Sequence, residues 1–112
     1  MTDQLTLEQS LQEIFPTLPA PIKHFIKEGK PGEVAQTIMD RHVLHVDQGS
    51  IIEHQILLAL LGIVGPEEFM ETLSNKLSVS DEVVGDIIED VNNEVFMPLR
   101  EEMRKGPQTV PQ

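Results

Sequence analysis

The chain has no cysteine, no tryptophan and no tyrosine, and only four phenylalanines in 112 residues. Lack of cysteine excludes a disulfide frame, a thiolate metal site and a cysteine nucleophile. It also fits a cytosolic protein. Lack of Trp and Tyr removes most stacking platforms for bases or sugars. Basic residues are scarce: eight Lys and Arg against nineteen Asp and Glu give a net charge of −11. Phosphate recognition needs Lys and Arg, and so do anionic lipid surfaces. Neither nucleic acid nor membrane is therefore expected as a partner. A basic protein partner suits the acidic balance, although solubility alone would also account for it. Met1-Thr2-Asp3-Gln4 has no basic segment followed by an apolar core. No signal peptide is expected, and the cytoplasm is the expected location.

What is present is an apolar stretch, Ile51 to Val64, with no charge after Glu53. It is too short for a membrane span, which needs about 20 apolar residues. Its Leu and Ala content favours helix. Asp47, Gly49 and Ser50 offer start signals, and Gly62, Gly65 and Pro66 offer stop signals. From Ile56 to Leu61 it is apolar all round, so it is expected to be surrounded by other helices. A partner groove or a peripheral anchor is the alternative, but anchors usually carry a basic polar face.

The rest of the chain supplies those other helices. Thr6 and Gln9 read as a capping box, with Leu7, Leu11, Ile14 and Phe15 on one face and Pro16 as the stop. Pro21 suits the start of a short second helix with Ile22, Phe25 and Ile26 inward, closed by Gly29. Pro31 opens a third, with Val34, Ala35, Ile38 and Met39 at helical spacing through to about His42. Val43 to Val46 reads as a packed connector. Pro66 opens a fifth helix whose buried stripe is Phe69, Met70, Leu73 and Leu77. Ser80 reads as the N-cap of the last helix. That helix has an inward stripe of Val83, Val84, Ile87, Ile88, Val91, Val95 and Leu99, with Glu82, Asp86, Glu89 and Asp90 facing away. Pro98 is expected to kink or break it between Asn93 and Met97. The expected fold is all-α, a compact bundle of five or six helices around the central apolar helix. Residues 6–105 form one domain, between a loose start (1–5) and a flexible tail (106–112).

Four groups of residues offer themselves as sites. Phe69 to Val91 has the shape of a helix-turn-helix. Its second helix, however, opens with Asp81, Glu82 and Asp86 and has no Arg, Lys, Asn or Gln to reach a base edge. His42, His45 and His54 could form a zinc site with Asp47 or Glu53, but a His-Glu-x-x-His pattern is absent. Structural roles suit these histidines better, and His54 reads as a buried, hydrogen-bonded group. The acidic positions Asp81, Glu82, Asp86, Glu89, Asp90 and Glu94 form a face that could take a basic partner. They miss the calcium-loop pattern. Last, Phe96 and Met97 cannot both face inward beside Val95 and Leu99, so one of them is a candidate partner contact. No catalytic constellation or phosphate-cradling loop is recognisable.

A resemblance completes the reading. It is carried by Leu44-His45-Val46-Asp47-Gln48, Gly62, Pro66-Glu67-Glu68-Phe69, Leu77-Ser78-Val79-Ser80, Glu89-Asp90-Val91-Asn92 and Phe96-Met97-Pro98-Leu99-Arg100-Glu101. This spacing resembles short helical domains in hypothetical proteins of candidate-phylum bacteria. The first helices lie outside it. That group has no assigned activity, so the resemblance implies an all-α cytoplasmic domain and no chemistry. The expected function is a small, acidic, non-enzymatic protein-interaction module. Its expected partner is a protein, basic in character, or a second copy, met by Asp81, Glu82, Asp86, Glu89, Asp90, Phe96 and Met97. No cofactor is expected.

Overall fold

A computed structural model describes residues 7–105. Helices α1 (Leu7–Ile14), α2 (Ala20–Lys27), α3 (Lys30–His42), α4 (Val46–Leu60), α5 (Pro66–Lys76), α6 (Asp81–Val91) and α7 (Met97–Lys105) follow one another. A 3₁₀ turn, Phe15–Thr17, extends α1, and a π-helical turn, Asn92–Phe96, joins α6 to α7. No strand occurs among the described residues. The fold is all-α. The capping box at Thr6, the inward placement of Leu7, the loose start 1–5 and the tail 106–112 lie outside what is described.

Most helix boundaries follow local chemistry. Pro31 and Pro66 sit in first turns, where no backbone donor is lost. Gly29 takes a left-handed φ of 75° and divides α2 from α3. Ser80 Oγ accepts from the Val83 N–H at 3.2 Å and caps α6. The core is built from Val34, Ala35 and Ile38 of α3, Ile52, Ile56 and Leu60 of α4, and Phe69 and Leu73 of α5 with Leu77 just beyond it. Val84, Ile87, Val91, Val95 and Leu99 of the last helical run complete it. Helix α4 is the central apolar helix, packed on α3 and α5, while α6 closes over α3 and α5.

Four expectations are corrected. Helix α4 begins at Val46, so Asp47, Gly49 and Ser50 lie inside it rather than before it. The Gln48 side chain accepts from the His45 N–H at 2.7 Å and so satisfies a free donor at the helix start. It also donates to the Leu77 carbonyl at 2.6 Å, tying α4 to the end of α5. Gly49 is buried, and a Cβ there would stand 2.9 Å from Met39 Sδ. It is the close crossing point of α3 and α4, not a start signal. Helix α4 is not surrounded on every side, because Leu57 and Leu58 are only half-buried.

The connector is not packed either. Val43 is 88% exposed and Val46 71%, and only Leu44 leans on the core. Val43 adopts a left-handed φ of 55°, an uncommon conformation for a β-branched residue. Met70 stands out of the expected α5 stripe, exposed to solvent.

Between Asn93 and Met97, where Pro98 is expected to kink or break the last helix, the regular α-helix gives way to the π turn Asn92–Phe96. The Met97 N–H donates five residues back to the Asn92 carbonyl, and α7 runs on to Lys105. Pro98 has no N–H to give, and its ring crowds the carbonyl of residue i−4 in a regular α-helix. A π turn directly upstream realigns those carbonyls.

Candidate functional site

A groove of about 650 Å³ opens between α4, α5 and the run from α6 to α7. Its size falls within the range of about 300–1,000 Å³ common for ligand sites. Leu60, Phe69 and Leu99 form a buried floor. Phe69 and Phe96 meet edge to face, with ring centroids 6.1 Å apart at 79°, a preferred aromatic geometry. The rim is exposed and carries Met70 from α5, Gly85 and Glu89 from α6, and Arg100 and Met103 from α7. Methionine is unbranched and polarizable, which suits surfaces that must adapt to a partner.

The π turn is responsible for one wall. The buried residues Val84, Ile87, Val91, Val95 and Leu99 are spaced by three, four, four and four. In an α-helix each four-residue step overshoots a full turn by about 40°, so the last three steps drift about 120° from the core. The extra residue of a π turn removes about 100° of that drift. Leu99 therefore stays inside, and Phe96 lies against Phe69 in the groove.

Charge is distributed unevenly along the α6–α7 run, of which Glu89 and Arg100 line the groove. Glu82, Asp86 and Glu89 are exposed and recur one helical turn apart on α6. Near the other end stands Arg100. Arg41 and Arg104 are each paired with carboxylates, whereas Arg100 has no ion pair among the described residues. A second hollow, about 840 Å³, lies between α2 and α7. Its charges are matched locally, His24 with Glu28 at 2.9 Å and Lys105 with Glu102 at 3.9 Å.

The candidate residues fall into separate places. Asp81, Glu82, Asp86 and Glu89 are exposed along α6, as expected. Asp90 is not on that free face. It is half-buried, with its Oδ2 2.9 Å from His42 Nε2 and 3.0 Å from Arg41 Nη1. Glu94 is held by the same guanidinium at 3.0 Å. These contacts fasten the end of α3 to α6 and the π turn. The hydrogen bonds to Glu94, and then those to Asp90, raise the Arg41 pKa above its ordinary value. Phe96 lines the groove, while Met97 is 46% exposed and lies outside it.

The histidines are not gathered. His42 pairs with Asp90, His45 precedes α4, and His54 is exposed rather than buried. Among the described residues no three His, Cys, Asp or Glu side chains are placed to hold a metal ion. The set His42, His45 and His54 is therefore not assembled as a zinc site. The α5–α6 unit has the helix-turn-helix order, yet the exposed positions at the start of its second helix are acidic, a poor match for phosphate. Also among the described residues, no helix is long and apolar enough to cross a membrane.

Sequence reasoning overlooked Gly85, Arg100 and Met103. Gly85 was the readable signal. A glycine in the middle of a helix costs stability and calls for a packing or functional reason. No family model, curated protein or solved structure matches the chain. The functional reading therefore rests on this geometry.

Proposed function

We propose that this chain is a small, non-enzymatic protein-interaction module of the cytoplasm that receives its partner in the groove between α4, α5 and the α6–α7 run. The observation that carries this reading is the groove itself, an apolar trough with an exposed methionine on each side. Grooves of this kind take the apolar face of a partner segment. Glu89 of α6 lines the groove, and the exposed Glu82 and Asp86 on the same helix would add to the steering of a partner of opposite charge.

Methionine methyl resonances offer the test. Met70 and Met103 line the groove, Met39 packs at the α3–α4 crossing, and Met97 is exposed elsewhere. In full-length chain carrying labelled methionine methyls, fractions of host lysate are expected to shift Met70 and Met103 and leave Met39 unmoved. A lysate that shifts only Met97, or none of them, would count against the reading.

A further inference from the structure

We infer that the occupant of this groove is an amphipathic helix with basic flanks, which seats an unbranched apolar side chain over Gly85. This deepens the reading above and rests on it. The chain shows internally what a helix glycine is for. At Gly49 the α4 backbone is bare, and Met39 of α3 lies so close that a Cβ would stand 2.9 Å from its sulfur. Gly85 is a second bare patch, in the middle of α6, with nothing within 4 Å of where its Cβ would be. Its backbone is not left-handed, so φ does not demand glycine there. A bare helix backbone with no internal neighbour permits close approach by another chain.

The groove's length and charge define that chain further. Gly85, Ile88, Asn92, Phe96, Leu99 and Met103 line it at one residue per turn. They mark out about 27 Å of helix, enough for a partner helix of roughly 18 residues. Helix α6 carries no basic residue and exposes Asp81, Glu82, Asp86 and Glu89, of which Glu89 lines the groove. A helix with Lys or Arg beside its apolar stripe complements the α6 wall. A second copy is disfavoured, because it brings the same net charge of −11. At the far end the unpaired Arg100 favours one acidic residue on the partner, which fixes the direction in which it lies.

The test uses the full chain and three designed helical peptides of roughly 18 residues. All three share a leucine stripe at helical spacing. The remaining positions are lysine in one, glutamine in the second and glutamate in the third. The lysine peptide is expected to bind most tightly, weaken with salt, and shift the resonances of Gly85, Met70 and Met103. Gly85→Leu is expected to weaken it at least tenfold. Gly85→Ala is expected to weaken it several-fold while raising the melting temperature, a split that a purely structural glycine would not produce. Equal binding of the lysine peptide to Gly85→Leu and native chain overturns the proposal, since the acidic surface alone would be responsible. Tighter groove binding by the glutamine or glutamate peptide overturns the basic partner and leaves the interaction module standing. Failure of all three peptides to reach the groove overturns the proposal and also counts against the module.

Discussion

Val43 holds a β-branched side chain in a left-handed conformation, almost entirely in solvent. That conformation costs roughly 1–2 kcal/mol. Glycine would remove the strain, but it gives back about 0.5–1 kcal/mol through the freedom of the unfolded chain. Val43→Gly is thus expected to stabilise the fold by about 0.5–1 kcal/mol. In urea unfolding this appears as a higher midpoint at unchanged slope. Gly85→Ala is expected to add about 1 kcal/mol by the same measurement, because alanine is the better helix former and its methyl meets nothing. His42 behaves differently. Its ring nitrogen and Asp90 are both partly buried, so His42→Ala should destabilise by about 1 kcal/mol through the lost hydrogen bond. Arg41 keeps the cluster charged across ordinary pH. Its folded-state pKa is raised, so its contribution is complete below the ordinary arginine value and is lost only as pH climbs through the raised one.

At the level of elements, two features decide how the helices meet. The first is the α3–α4 crossing. Gly49→Leu should drive Met39 off the α4 backbone and destabilise by about 1–3 kcal/mol, measured by thermal or urea unfolding. The second is the π turn. Because the inward stripe steps by four residues three times running, the turn answers to that spacing as well as to Pro98. Deleting Asn93 together with Pro98→Ala would restore alternating steps of three and four. This variant is expected to keep Leu99 buried and to lose no stability, as judged by its melting temperature and solvent exchange at Leu99. Both features bear on how much was legible in the sequence. The helices, the prolines at their starts, the Ser80 cap and the stripe of α6 could be read from periodicity and local chemistry. The π turn was written in the same stripe, but a tally of apolar positions does not follow their phase. Gly49 read as a helix start because its other property, nearness to Met39, depends on a helix crossing that no local pattern encodes. The groove was illegible for a similar reason. Met70, Gly85, Phe96 and Met103 come from different helices, and only packing brings them together. Asp90 counted with the acidic face because its partners, Arg41 and His42, lie far away in sequence.

For the whole molecule the governing quantity is a net charge of −11 within a radius of gyration of 14.8 Å. At about 0.01 M salt the screening length is about 30 Å, so all of these charges sense one another. Near 0.15 M it falls to about 8 Å, and only neighbours interact. The melting temperature is expected to rise across that range, whereas binding of a basic helix falls. Opposite salt responses of folding and binding, read from one set of samples, would separate self-repulsion from recognition. The rim of the groove carries a further consequence. The chain has no cysteine to take up an oxidant, so its exposed thioethers react first. Peroxide should convert Met70, Met97 and Met103 to sulfoxides before Met39, a sequence that peptide mass mapping would display. The core contains none of these sulfurs, so the bundle should survive the treatment. The groove would survive in shape but with polar, chiral edges, and reductases that act on methionine sulfoxide would restore it. Oxidative stress would then tune this surface reversibly without unfolding the protein.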